Sequence, residues 1–135
     1  MVKSTSYYLR SDLSISTANS TTGRQLIGAS GFGSYNTFAN QFNWLRLFNT
    51  AGVPVSVTLN AFSSTGSLIG SSTVSLAANR GQDLDLETLF SLADNQVGQV
   101  EVIPSVPNVL SGEVMRIIID SATNEIVEAE TVSIQ

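Results

Sequence analysis

Apolar residues recur at every second position along most of this chain, and this period restricts the possible folds more than any other feature. In the clearest case Val53, Val55, Val57, Leu59 and Ala61 alternate with mainly polar residues. Successive side chains of a β-strand point to opposite faces, so the pattern predicts a strand with these five residues inward and the other face solvated. Turn-forming residues interrupt the pattern roughly every ten positions, which is typical of a β-sandwich or barrel.

The same reasoning predicts about eight or nine strands in the whole chain. After the N-terminal strand SYYLRSDLSIS, QLIGAS is predicted to form a short second strand, and GFGSYNTFANQ (31–41) a long, irregular and mobile connection. The segment FNWLRLFN is apolar on both faces apart from Arg46, which favours a central strand covered on each side, with Trp44 in the core. Leu68 is expected to face inward on the strand that follows Ala61, and SATNE to form a hairpin loop.

A chain of 135 residues has the size of one ordinary domain. We therefore predict a single all-β domain over residues 1–135, built as a two-sheet antiparallel sandwich with at most one short helical turn near residues 87–92. For the N-terminal strand and loop, residues 1–41, the alternative is that they belong to the sandwich of a neighbouring subunit.

Cysteine and histidine are both absent from the sequence. Thiolate nucleophiles, cysteine-based zinc sites and histidine-dependent catalytic triads are therefore excluded. The one cluster of carboxylates is Asp83, Asp85 and Glu87, which on a strand would share a face about 7 Å apart. Such a cluster could hold calcium or act as a glycosidase acid pair, but its alternation with Leu84 and Leu86 favours the solvent face of a strand. We predict no enzyme, no metal and no cofactor.

Charged residues make up 13% of the chain, against roughly 25% in an average soluble domain, and the net charge is −5. The six basic residues are scattered and form no patch, so we expect no nucleic-acid partner. No apolar run approaches the roughly 20 residues of a membrane span, and MVKSTSYY lacks the features of a signal peptide. Such a weakly charged surface makes self-association easier.

Residues 43–104 carry a family pattern in the segments PVSVTLNAF, STGSLIGSSTVSLAANRGQDLDLETLF and GQVEVIP. In the spacing of its strands and turns this region resembles the immunoglobulin-like or fibronectin-type-III-like sandwich modules of bacterial secreted and surface proteins. The matching positions are core and turn positions. The resemblance implies an extracellular or cell-surface location and a structural, adhesive or assembly role.

Two groups of residues are candidates for contact with a partner. Phe32, Tyr35 and Phe38 lie in the predicted loop 31–41, where their rings are expected to be exposed. Terminal strands with unprotected edges can pair with another molecule, and Leu9, Leu13 and Ile15 would then fill pockets on that molecule.

These observations give one leading hypothesis and two alternatives. The leading hypothesis is a non-enzymatic structural protein that forms a homo-oligomer or polymer through strand edges or terminal strands, as the subunit of a filament, surface layer or matrix. The first alternative is a carbohydrate-binding module or adhesin that binds a glycan through the aromatic residues of the loop 31–41. The second alternative is a virion decoration protein.

Overall fold

The computed structural model of the protein describes residues 25–120 and 122–135, and the backbone alone of residues 5–9, 15–16 and 127. In this part of the chain there are ten strands, one short α-helix and one 3-10 turn. The strands are β1 (Thr5–Leu9), β2 (Ile15–Ser16), β3 (Gly31–Asn36), β4 (Gln41–Asn49), β5 (Val55–Ser63), β6 (Leu68–Leu76), β7 (Gly81–Asp85), β8 (Val97–Pro104), β9 (Leu110–Ile119) and β10 (Ile126–Ser133). The 3-10 turn is Phe38–Asn40, and helix α1 is Leu86–Phe90.

The strands form two antiparallel sheets. One sheet has six strands in the order β2-β1-β10-β9-β4-β7, and the other has four in the order β3-β8-β5-β6. The predicted all-β sandwich and the helical turn near residues 87–92 are both confirmed. Eight of the strands lie between residues 31 and 133, in agreement with the predicted number, and two short strands precede them.

The chain changes sheet at most of its connections. The central strands are arranged β10-β9-β4-β7 in one sheet and β3-β8-β5-β6 in the other. This is the strand order of a jelly roll, with the C-terminal strand β10 in the position that the first strand usually holds. It differs from the seven-stranded immunoglobulin order, in which strands ABED face strands CFG.

The core lies between the two sheets and follows the predicted alternation in β5. Val55, Val57, Leu59 and Ala61 are at most 1% exposed. The same core contains Val100 and Val102 of the adjacent strand β8, and Leu45, Leu47 and Val114 of the facing sheet. The predicted inward positions of Val53 and Leu68 are wrong, because Val53 precedes β5 and is 60% exposed, and Leu68 begins β6 next to a β-bulge and is 59% exposed.

Strand β4 is buried on one face only. Leu45 and Leu47 are fully buried, whereas Trp44 is 39% exposed on the opposite face. The predictions that this strand is covered on both sides and that Trp44 lies in the core are therefore wrong. Trp44 pairs with Asp85 of β7 and with Met115 of β9, so it is part of the outer surface of the six-stranded sheet.

The predicted irregular loop 31–41 is also wrong, because it contains β3 and the 3-10 turn. Gly31 faces inward beside Ile134, and a Cβ atom on Gly31 would lie 2.7 Å from Ile134 Cγ2. The glycine therefore marks a close approach between β3 and the other sheet rather than a flexible segment. The predicted second strand QLIGAS is reduced to a single bridge between Ile27 and Leu110.

The terminal strands pair with each other in the same chain. Thr5 of β1 is opposite Thr131 of β10, and Leu9 is opposite Ile15 of β2. Leu13 and the side chains of Leu9 and Ile15 lie outside the described residues, so their predicted contacts with a partner stay predictions. Neither of the two short helical segments among the described residues is long and apolar enough to cross a membrane.

Candidate functional site

An open groove of about 640 Å³ lies on the outer face of the four-stranded sheet, within the size range of small-molecule sites. Strand pairing brings its walls together, since β8 lies between β3 and β5 and the turn after β5 closes one end. The groove is lined by Phe32, Ser34, Tyr35, Asn36, Phe62, Ser63, Ser64, Gly66, Val97, Gly98, Gln99 and Arg116.

The aromatic rings of the groove come from two strands. Phe32 of β3 is 44% exposed, and Phe62 of β5 is half-buried. Gln99 of β8 pairs with Ser34 on one side and with Phe62 on the other, and Phe32 lies two residues before Ser34 on β3. An apolar ring beside amide and hydroxyl groups is the mixture that a ligand with both an apolar face and polar edges requires.

Arg116 is the one charged side chain among the lining residues, and it reaches the groove from β9 of the other sheet. Its Nη2 donates a short hydrogen bond to Ser34 Oγ, and its Nη1 lies 3.7 Å from a Glu130 carboxylate oxygen. Its Nε is buried and has no hydrogen-bond partner in the described part of the chain. A guanidinium group has five N–H donors, so Arg116 retains donors for a further acceptor.

Tyr35 lies at the base of the groove and is part of the core. Its ring is 1% exposed, and its hydroxyl donates a hydrogen bond of 2.9 Å to the Phe62 carbonyl oxygen. Gly98 lies directly opposite Tyr35 in β8, where a Cβ atom would collide with the tyrosine hydroxyl. Burial raises the pKa of Tyr35. The expectation that the Tyr35 ring is exposed on a loop is wrong, whereas Phe38 is 45% exposed in the 3-10 turn outside the groove.

A row of polar side chains continues from the groove across the same outer face. The pairing places Glu101 between Phe32 and Asn60, with Ser71 on the far side of Asn60. Asn60 Nδ2 donates to Glu101 at 2.9 Å, and Asn60 Oδ1 accepts from Ser71 at 2.8 Å. These two hydrogen bonds link β8, β5 and β6 across the outer face.

The carboxylate cluster predicted on one strand face is divided between two elements. Asp83 and Asp85 belong to β7, whereas Glu87 lies in α1, whose N-cap is Asp85. Asp85 accepts a hydrogen bond from the Thr88 N–H at 3.1 Å, as N-cap residues commonly do. Within the described residues no group of three or more acidic side chains could hold a metal ion.

Glu87 binds the fully buried Asn43. The backbone N–H of Asn43 donates to the Glu87 carboxylate at 2.9 and 3.1 Å, and Asn43 Nδ2 donates to it at 2.6 Å. The Asn43 amide also makes two hydrogen bonds to the backbone of Asn36, as donor at 2.8 Å and as acceptor at 2.9 Å. One buried amide thus links β3, β4 and α1.

The carboxylates of Asp85 and Glu87 have pKa shifts of opposite direction. Burial raises the pKa of Glu87, and the hydrogen bonds from Asn43 only partly oppose this effect. Burial acts in the same direction on Asp85, but hydrogen bonds from Thr88 and Glu87 together outweigh it, so the pKa of Asp85 is lowered. Both side chains form hydrogen bonds that hold α1 on the sheet, which indicates a structural role for the two carboxylates.

Arg46 finds its partners on the outer face of the six-stranded sheet. Its guanidinium makes a bidentate contact with Asp83 at 2.8 and 3.1 Å and lies 3.7 Å from Glu113. The pairing places Arg46 between these two residues on adjacent strands, which explains the single charge of the strand FNWLRLFN. Side-chain exposures of 35% and 43% for Arg46 and Asp83 make this a surface ion pair of small energy.

The four sheet edges differ in their protection. In the six-stranded sheet, edge strand β2 has two residues, and edge strand β7 has five with Asp83 and Asp85 among them. In the four-stranded sheet, β3 is paired at Phe32, which exchanges hydrogen bonds of 2.6 and 3.2 Å with Gln135. The remaining edge, β6, has nine residues (LIGSSTVSL), none of them charged and none proline.

Sequence reasoning identified Phe32 but missed Phe62, Gln99 and Arg116. These residues are far apart in the chain. The pairing of β3, β8 and β5 brings Phe32, Gln99 and Phe62 together. The one usable signal was the isolated Arg116 in VMRIIID, where a charge within an apolar strand requires a polar neighbour.

Comparison with known proteins gives a structural neighbour. The fold is similar to that of Thermotoga maritima 1070, known from a crystal structure, with a TM-score of 0.63 and 13% sequence identity. The alignment covers 79% of this chain and 93% of that chain. At this identity the similarity shows the fold alone. No protein-family model matches the chain, and no curated protein matches its sequence significantly.

Proposed function

We propose that this protein is a non-enzymatic structural subunit that associates with copies of itself through the free edge of β6. The observation that carries the proposal is the nine-residue edge strand without charge or proline. Such an edge presents unpaired backbone N–H and C=O groups to solvent, and natural proteins usually protect it with charges or bulges. The bulge between Ala61 and Phe62 affects only the first residues of β6.

Pairing of two β6 strands in antiparallel orientation would join the four-stranded sheets of two molecules. The strand has no charge that would meet its own copy across a two-fold axis, so this pairing has no like-charge penalty. Its exposed face carries Ser71, Thr73 and Ser75, and Thr is a residue that β-sheet ladders favour. Phe90 of α1 packs beside Gly70 and so fixes the position of the strand.

The wider setting of the proposal is a filament, surface layer or matrix outside the cell. It is supported by the strand and turn spacing of residues 43–104, which resembles that of immunoglobulin-like or fibronectin-type-III-like modules of bacterial surface proteins, although the strand order of the sandwich differs from the immunoglobulin order. It is also supported by the low content of charged residues, 13%, and by the absence of histidine and cysteine, which leaves few groups for catalysis. The terminal strands remain a second route of association, through exchange of β1 between neighbouring subunits.

Light scattering coupled to size-exclusion chromatography tests the proposal. We expect the protein to form dimers or larger species as its concentration rises, and the double variant Thr73→Lys/Ser75→Lys to remain monomeric. The matched control is Thr58→Lys/Ser56→Lys, because Thr58 and Ser56 lie directly opposite these positions on β5. The control adds the same charge to the same face one strand away from the edge, and it should still associate.

Two results would contradict the proposal. A wild-type protein that stays monomeric at the highest concentration reached would show that no edge supports association. Equal association of the edge variant and its control would show that β6 is not the contact.

A second candidate function, glycan binding, is favoured by the groove beside Phe32. The groove combines an exposed ring with amide and hydroxyl groups on a rigid sheet, and sugars are bound by such combinations of stacking and hydrogen bonding. It lies over β3, β8 and β5, so a glycan there would leave the β6 edge free.

A further inference from the structure

We propose that the groove on the four-stranded sheet binds an acidic glycan, with Arg116 receiving a sugar carboxylate and Phe32 stacking on the sugar ring. The inference rests on the second candidate function and is independent of self-association through β6. The proposed ligand is a uronic-acid oligosaccharide.

The charge of the groove selects an anion. Arg116 is its one charged lining residue, and the lining contains no carboxylate; Glu101, opposite Phe32 in β8, accepts a hydrogen bond of 2.9 Å from Asn60. Glu130, the acidic partner of Arg116, lies 3.7 Å from Nη1 and is 47% exposed, so water weakens this contact. A ligand carboxylate could replace the long Glu130 contact and accept a charge-assisted hydrogen bond from Nη1.

The remaining groups select a sugar over a simple carboxylate. Phe32 presents 44% of its surface, and Phe62 adds a second, half-buried ring on the far side of Gln99. The C–H face of a pyranose is apolar, whereas its hydroxyl groups require donors and acceptors. Ser34, Asn36 and Gln99 supply both kinds within the same groove.

The position of Arg116 is fixed by the fold. Its Nε is buried without a hydrogen-bond partner among the described residues, and its Nη2 is held by Ser34 of β3. A charge held in place before binding loses little conformational entropy when a ligand arrives. Because Nε is buried and Nη2 is engaged by Ser34, Nη1, whose contact with Glu130 is 3.7 Å long, is the group that presents donors to a ligand.

Isothermal titration with trigalacturonic acid and with its fully methyl-esterified form tests the proposal on the full chain. The two probes share rings and hydroxyls and differ in charge. We expect the acid to bind roughly tenfold or more tightly than the ester, the range expected for one charge-assisted hydrogen-bond pair. Succinate, a carboxylate without a ring, should bind more weakly than the acid.

Variants locate the site. Phe32→Ala should weaken binding of the acid by roughly fivefold or more, the range of an aromatic contact. Its matched control is Phe42→Ala, which removes a ring of similar exposure, 41%, from the other sheet. Arg116→Gln should remove the preference for the acid over the ester, and Arg80→Gln, in an exposed turn, should not.

Each possible result has a defined meaning. No binding of the acid tighter than about 1 mM would overturn the proposal. Equal binding of acid and ester by the wild type would overturn the role of Arg116, and succinate binding as tight as the acid would overturn the choice of a sugar. Unchanged binding by Phe32→Ala would overturn the location. Oligomeric state, measured on the same samples, separates these outcomes from failure of the β6 contact.

Discussion

The buried amide of Asn43 offers the sharpest test of how this sandwich is held together. Its side chain makes three hydrogen bonds, two to the backbone of Asn36 and one to Glu87, and the residue is 0% exposed. Asn43→Ala removes all three and leaves the backbone N–H and C=O of Asn36 without these partners. At about 1 kcal/mol for each bond, we expect a loss of about 3 kcal/mol in the free energy of unfolding.

Asn43→Asp should destabilise the protein further, although it changes the side-chain volume very little. It replaces the donor that lies 2.6 Å from the Glu87 carboxylate with a second carboxylate oxygen. Two carboxylates at this distance cannot both be ionised without a large penalty, so we expect a loss of about 4 kcal/mol at neutral pH. The two neighbouring carboxylates in Asn43→Asp have a raised pKa in the folded state. The loss of stability caused by the substitution should therefore decrease as the pH falls toward the pKa of these groups in the unfolded chain.

Urea denaturation of the three proteins at neutral and acidic pH measures these losses, and thermal unfolding checks them. For a domain of 135 residues, a loss of about 3 kcal/mol lowers the midpoint temperature by about 10 °C. The matched control is Asn60→Asp, because Asn60 also donates to a glutamate, Glu101, but on the solvated face. Its cost should stay below about 1 kcal/mol.

The reasoning would be refuted by a loss at Asn43→Asp no larger than that at Asn60→Asp. It would also be refuted if the difference between Asn43→Asp and Asn43→Ala did not change with pH. The first result would mean that the Asn43 hydrogen bonds contribute no more to stability than those on the solvated face, and the second that the introduced carboxylate is not coupled to Glu87.

Three further predictions concern single groups. Tyr35→Phe removes the hydrogen bond to the Phe62 carbonyl and should cost about 1 kcal/mol in urea denaturation, with a native-like circular dichroism spectrum as the check that the fold persists. Gly98→Ala inserts a methyl group against the Tyr35 hydroxyl and should cost about 2 kcal/mol or more; a smaller loss than that of Tyr35→Phe would contradict the packing described here. The pKa of Glu87 is raised in the folded state, so as the pH rises the unfolded chain loses the Glu87 proton before the folded chain does. The contribution of Glu87 to stability therefore falls as the pH rises above 4.5, the ordinary pKa of this group. The stability of the wild type relative to Glu87→Gln should accordingly decrease between about pH 4 and pH 7, and a constant or increasing difference would show that the shift has the opposite sign.

Local alternation predicted those strands whose two faces differ in polarity. In β5 the inward residues are apolar and most outward residues are polar, so a period of two identifies both the strand and its buried face. In β4 both faces are apolar, and alternation alone cannot select the buried one. Arg46 carried the missing information, because Trp44 shares its face and is exposed with it.

Composition misled the prediction for residues 31–41. Glycine, serine and asparagine are typical of turns, yet β3 forms because its glycines allow a close approach to Ile134 and Gly98 accommodates the ring of Tyr35. These contacts join residues that are far apart in the chain, so no local window contains them. The groove could not be predicted for the same reason, since Phe32, Phe62 and Arg116 come from three strands and two sheets.

The jelly-roll order of the strands also determines when each edge is exposed during folding. Strands β5 and β6 are joined by a short turn and can pair early, whereas β8 and β9 must close long stretches of chain before they reach β5 and β4. We therefore expect a β5–β6 hairpin with two open edges to form before the complete sheet. Pairing between molecules at this stage competes with the arrival of β8, so the yield of refolding should fall as protein concentration rises.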